Sequence, residues 1–201
     1  SKAYAVVPYA HALELLPFWL QQLDMESNGK STDRQGKNLK ASSPVVFGSA
    51  GTNAQHSYFQ LLHQGPEIIP VDFIVVKEAM SSLPEAKEHH NALLANCLAQ
   101  AQALAHGKES SDPNLSYAGK RPSNLIALPK LDAYHLGALL ALYEHRAFCL
   151  GALWNLNPFD QPGVELGKVL ARPIEEALKG SQPNNEAFDS VTSARINYLK
   201  Q

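Results

Sequence analysis

Apolar positions along the chain alternate between two spacings. Short β-rich runs at Ala3 to Val7, Pro44 to Phe47, Ile68 to Val76 and Asn124 to Leu128 each end near Pro, Gly, Ser or Asp and predict strands. Between them, His11 to Leu23, Thr52 to His63, Glu88 to His106 and Ala133 to Leu150 carry apolar residues at helical spacing, and Gly163 to Lys179 adds a further helix. Strand and helix in alternation predict an α/β fold: a three-layer sandwich whose mainly parallel sheet is flanked by helices on both faces. Right-handed crossovers in such a fold bring the strand C-termini to one edge, the usual place for a ligand site.

Two polar stretches, Ser27 to Ser43 and Gly107 to Ser123, read as loops, and Phe188 to Gln201 reads as a terminal helix. No internal repeat divides the chain. With 201 residues, 45% of them hydrophobic, one domain with a real core is expected, with at most a small appendage. A formal net charge of −2 from 17 basic and 19 acidic residues leaves no footprint for nucleic acid or an anionic membrane, so neither is an expected partner. No apolar run approaches the roughly 18 to 20 residues that span a bilayer. Cys97 and Cys149 lie in apolar helical patterns and read as free, buried thiols of a reducing, cytoplasmic compartment.

Candidate chemistry gathers at three places. Glu26 is followed by Ser-Asn-Gly, a turn in which backbone N–H groups can hold a carboxylate that still faces a cavity. Such a base can take a proton from one carbon and return it to the next, although a Glu in a polar loop is ordinarily just solvated. In Gly51-Thr-Asn-Ala-Gln-His56 a glycine precedes a Thr or Asn cap and a helical run, which places His56 near a first helical turn. Its imidazole, with an ordinary pKa of about 6.5, can exchange a proton near neutral pH. Lys168 closes Gly163-Val-Glu-Leu-Gly-Lys, where the glycines leave room for a ligand or a neighbouring backbone, and Asp160 and Gln161 stand ready as caps. The eight histidines fall into no metal-ligating pattern, so no metal site is expected.

Three segments share a further property. Asp24-Met-Glu-Ser-Asn-Gly-Lys30, Gly51-Thr-Asn-Ala-Gln-His-Ser57 and Phe159-Asp-Gln-Pro-Gly-Val-Glu-Leu-Gly-Lys168 resemble, in order, signature stretches of the glucose-6-phosphate isomerase family. His89-His90, Leu93-Leu-Ala-Asn96, Gly137-Ala-Leu139, Tyr143-Glu-His145 and Asn155-Leu-Asn-Pro-Phe-Asp-Gln161 extend the resemblance through almost the whole chain. The resemblance implies a sugar-isomerase (SIS), flavodoxin-like fold and an aldose-ketose isomerase of glycolysis and gluconeogenesis. It would interconvert glucose 6-phosphate and fructose 6-phosphate through a cis-enediol, without metal or cofactor. By the same resemblance Glu26 shuttles the proton, His56 and Lys168 assist ring opening, and Gln22 and Gln161 line the substrate pocket. It also implies a homodimer in which His56 is donated to the neighbouring subunit.

The resemblance has gaps. Gly48-Ser-Ala-Gly51 stands where the family usually has a Gly-Glu-Pro-Gly type of turn, and Ala54 replaces a common glycine. The family's Gly-Gly-Arg-(Tyr/Phe)-Ser segment and the phosphate loop of its first sugar-isomerase domain are not found. Residues 1–187 are therefore expected to be most of the second SIS domain, truncated at its N-terminal side and missing its N-terminal SIS partner, with 188–201 as a C-terminal helix. Such a fragment would be inactive alone. A non-catalytic sugar-phosphate-binding SIS module is the alternative, and the apolar Tyr134 to Leu150 run admits an oligomerisation role.

Overall fold

A computed structural model describes residues 2–180 and 188–200. The chain forms two compact units, residues 1–159 and 160–201. The expected boundary after residue 187 adjoins residues 181–187, which lie outside the described residues.

In the first unit four parallel strands, β1 (Ala3–Pro8), β2 (Val45–Phe47), β3 (Val71–Val76) and β4 (Ser123–Leu128), pair in the order β2-β1-β3-β4. The predicted sheet is thus present with each strand within three residues of its expected bounds. Connections start outward from β1, return across it to β3, and continue to β4. This reversal puts helices on both faces.

Alternation along the strands separates two cores. Tyr4, Val6, Val46, Ile74, Val76 and Leu128 face α1 (Leu16–Leu20) and α5 (Ala133–Leu153), where Leu16, Leu20, Leu139 and Tyr143 meet them. Ala5, Val7, Val71, Phe73 and Val75 face the other way, against α2 (Gly51–Gln55), α3 (Phe59–Gln64) and α4 (Ala86–His106), through Ala54, Phe59, Leu62, Cys97 and Leu104. Burial pushes the Cys97 thiol up to about 12, so it behaves as a small hydrophobe. Cys149 differs from expectation: it is exposed on α5.

Strand β3, Val-Asp-Phe-Ile-Val-Val, is buried throughout and carries one charge, Asp72. A carboxylate in that position must be fully supplied with donors. The Tyr4 hydroxyl donates to Oδ2, the Tyr143 hydroxyl donates to the same oxygen at 3.0 Å, and Asn124 Nδ2 donates to Oδ1 at 2.9 Å. Burial, reinforced by the neighbouring carboxylate, raises the Tyr4 and Tyr143 phenols well above their usual range and keeps both as donors. The hub joins β1, β3, β4 and α5.

Helix α5 departs from the expectation that no stretch is long and apolar enough to cross a bilayer: by length and composition its 21 residues are. Its packing accounts for part of that composition, while Tyr134, Leu142, Phe148 and Leu153 are exposed. Leu139, Tyr143, Ala147 and Gly151, four residues apart, are buried on one face, and Tyr143 is committed to Asp72. That face is what α5 contributes to the core of this unit.

In the second unit Pro162–Val164 forms a single 3-10 turn, followed by α6 (Glu165–Leu178) and α7 (Ser190–Leu199). Asp189 caps α7 by accepting from the N–H groups of Val191 and Thr192.

Asp72→Ala is expected to leave two buried hydroxyl donors, those of Tyr4 and Tyr143, without an acceptor and to destabilise the fold by about 3 kcal/mol. Urea denaturation at neutral pH measures it, and a change below about 1 kcal/mol would deny the hub its role.

Candidate functional site

Glu26 does not sit in a loop after a helix. The helix that begins at Leu16 widens at Gln21–Glu26 into a π-turn and closes with Ser27 and Asn28. Such turns are rare and recur at functional sites, because one extra residue per turn re-aims the side chains around it. The turn lies along the outer edge of β2. Gln21 Nε2 donates to the Val46 carbonyl at 3.1 Å, and the Val46 N–H donates to Met25 Sδ at 3.4 Å. Both backbone groups of an edge strand are thereby occupied by side chains of the turn.

Within the turn, Gln22 and Glu26 are exposed while Asp24 between them is buried. Asp24 pairs with the guanidinium of Arg146 from α5, which also lies 4.5 Å above the Tyr4 ring. Burial pushes the Asp24 carboxyl above its usual range, and Arg146 acts in the opposite sense. Past Glu26, Asn28 is fully buried and its Nδ2 donates to the Ala147 carbonyl at 2.9 Å. A Cβ on Gly29 would meet the Met25 carbonyl oxygen at 2.1 Å, so the sequence Ser-Asn-Gly ends the helix where only glycine fits.

The following segment is better ordered than its composition predicts. Asp33 accepts from the N–H groups of Gln35 and Lys37, and Arg34 Nε donates to the Leu156 carbonyl at 2.9 Å.

The second candidate segment starts at the end of β2. Gly48 and Gly51 are forced by close approach: Cβ atoms there would meet the Val6 carbonyl oxygen at 1.9 Å and the Tyr9 ring at 2.4 Å. The expected single helix from Thr52 to His63 is two short ones, broken at His56–Tyr58. Consequently His56 is the C-cap of α2 and not part of its first turn, and the N-cap is Ala50 in place of Thr52 or Asn53. His56 is exposed, and Ser49 Oγ lies 3.3 Å from the Tyr58 hydroxyl beneath the break. Gly51→Ala is expected to displace the Tyr9 ring and lower the melting temperature by several degrees; an unchanged melting curve would mean that the close approach is relieved without cost.

In the second unit Gln161 precedes the 3-10 turn and Lys168 stands on α6, both exposed. Lys168 Nζ donates to Glu165 Oε1 at 2.7 Å, a surface pair of little energetic weight. The N-cap of α6 is Val164, so neither Asp160 nor Gln161 caps it. A Cβ on Gly163 or Gly167 would meet nothing within 4 Å.

Of the five predicted residues, Gln22 and Glu26 are placed one turn apart on one π-turn, His56 lies elsewhere in the same unit, and Gln161 and Lys168 belong to the second unit. The residues that sequence reasoning missed are Arg146, Asp24 and Asn28. A charge inside the apolar α5, one turn from the buried Tyr143, was the available signal for Arg146.

An α/β sandwich with polar side chains presented at its sheet edge defines a doubly wound module of the kind that builds ligand sites around its strands. The chain belongs to the phosphoglucose isomerase family, whose pattern it matches over residues 1–196. It is 52% identical to glucose-6-phosphate isomerase 2 of Cupriavidus pinatubonensis, with 98% of this chain and 38% of that protein covered. To glucose-6-phosphate isomerase of Dechloromonas aromatica it is 51% identical, covering 98% and 39%. A crystal structure of a glucose-6-phosphate isomerase from Chlamydia trachomatis superposes with a TM-score of 0.82 at 37% identity, covering all of this chain and 38% of that one. The chain thus spans less than two fifths of the length of these relatives.

Proposed function

We propose that the protein to which this chain contributes interconverts glucose 6-phosphate and fructose 6-phosphate by proton transfer through a cis-enediol. Glu26 is the base that moves hydrogen between C2 and C1, His56 and Lys168 assist ring opening, and Gln22 and Gln161 bind the sugar. The observation that carries this reading is the π-turn, which presents Gln22 and Glu26 to solvent from a rigid support while burying Asp24 between them. A single carboxylate suffices for the chemistry, since the proton it accepts is the one it returns.

Membership of an isomerase family and identity of about 50% to proteins named glucose-6-phosphate isomerase support the assignment. Residues 1–187 then act as most of the second SIS domain and 188–201 as its terminal helix. We further assign the protein to the cytoplasm and to a homodimer in which His56 serves the neighbouring site; the exposure of His56 on a break between two helices suits that use. The chain alone is expected to be inactive. Phosphate binding orients the reacting carbons, and an uncompensated enediolate charge is costly, so losing the groups that supply both harms rate as well as affinity.

In the full-length protein Glu26→Gln should lower turnover by roughly 10²-fold or more while leaving the sugar phosphate bound. Steady-state assay of ketose formation with a parallel binding measurement checks it. Retained turnover would remove Glu26 from the reaction, and absence of isomerase activity in the unmodified full-length protein would remove the function.

A further inference from the structure

We propose that Arg146 is a positioning residue for Glu26, holding the π-turn through Asp24 so that the carboxylate two residues on keeps one direction. The inference rests on the base role proposed for Glu26. Along the turn the pattern is exposed, buried, exposed at Gln22, Asp24 and Glu26, so the grip on the middle residue sets the direction of its two neighbours. The grip is itself fixed. Arg146 lies 4.5 Å over the ring of Tyr4, whose hydroxyl donates to Asp72, and Asp72 also accepts from Tyr143, one turn before Arg146 on α5.

A second hold follows on the other side of Glu26. Asn28 Nδ2 donates to the Ala147 carbonyl at 2.9 Å, and Gly151 leaves the space that Asn28 fills, since a Cβ there would stand 2.9 Å from Asn28 Oδ1. Positions 24 and 28 are therefore both fastened to α5, and Glu26 lies midway between them.

Stability alone is a weak reason for such a pair. Buried ion pairs are often no better than apolar contacts of the same size, and Asp24 Oδ1 is buried without a hydrogen-bond partner among the described residues. What the pair does supply is orientation, because a planar guanidinium fixed over a ring holds a carboxylate from one direction. A base that must serve two adjacent carbons is sensitive to its placement, where an error near 1 Å can cost about 10²-fold.

The test uses the full-length isomerase and the variants Arg146→Met, Arg146→Lys, Gly151→Ala and Glu26→Gln. For each, kcat and KM per titrated active site, the primary isotope effect with glucose 6-phosphate deuterated at C2, and thermal unfolding are measured. Arg146→Met should lower kcat roughly tenfold or more with KM within about twofold, and raise the isotope effect as proton transfer becomes more rate-limiting. Arg146→Lys, which keeps the charge but not the planar group stacked on Tyr4, should recover only part of the loss. If Arg146→Met does not fold, Gly151→Ala, whose Cβ would press on Asn28 Oδ1 and on the Pro158 ring, should lower kcat a few-fold with the same rise in isotope effect.

A folded Arg146→Met, or failing that Gly151→Ala, with wild-type kcat and isotope effect overturns the proposal. So does a loss of activity that tracks only the count of active sites. The two readings separate through Glu26→Gln: wild-type turnover there overturns the base role itself, whereas its inactivity beside an unaffected Arg146→Met overturns the positioning role alone.

Discussion

A carboxylate inside a strand that is otherwise Val, Phe, Ile and Val has to be satisfied by its own neighbours, and the first unit is arranged around that requirement. Asp72 takes donors from β1, β4 and α5 at once, which fixes the seat of α5 on the sheet. Tyr4 and Tyr143 donate from the buried side and Asn124 from an exposed position on β4, so the arrangement specifies a position as well as contributing stability. Arg146, one turn along α5 from Tyr143, extends the constraint outward to Asp24. The polar core and the candidate base are thus linked through a single helix.

The sheet edge poses the complementary problem. Strand β2 has only three residues and one hydrogen-bonded neighbour, β1, and its free edge is covered by a side chain and a thioether of the π-turn. Covering an edge in this way prevents unwanted strand pairing. It also places Gln22 and Glu26 beside the sheet, on a turn whose inner side cannot shift without exposing Val46 or unpairing Asp24. Rigid support for an exposed carboxylate is what general base catalysis asks of a scaffold.

Much of this was legible in the chain. Short, nearly unbroken apolar runs in Ala3 to Val7 and Ile68 to Val76, and helical spacing in Glu88 to His106 and Ala133 to Leu150, located the parallel sheet and its cover, because a strand buried on both faces reads as a continuous apolar run. Less legible was anything decided by tertiary contact. The π-turn depends on Met25 and Gln21 reaching Val46, and the break at His56 separates two segments whose apolar spacing reads as continuous. Asp72 looks anomalous in its strand until Tyr4, Asn124 and Tyr143 are brought to it from 52 to 71 residues away. Cys149 lay in an apolar pattern yet faces outward, since α5 is apolar on more than the side it buries.

The central claim is geometric: one carboxylate, Glu26, reaches both carbons between which hydrogen moves. A crystal structure of the full-length protein with an open-chain hexose 6-phosphate measures this directly. The account predicts a Glu26 carboxylate oxygen about 3 Å from C1 and from C2, with Gln22 in contact with the sugar. A carboxylate turned away from both carbons, with another side chain against C2, would contradict it.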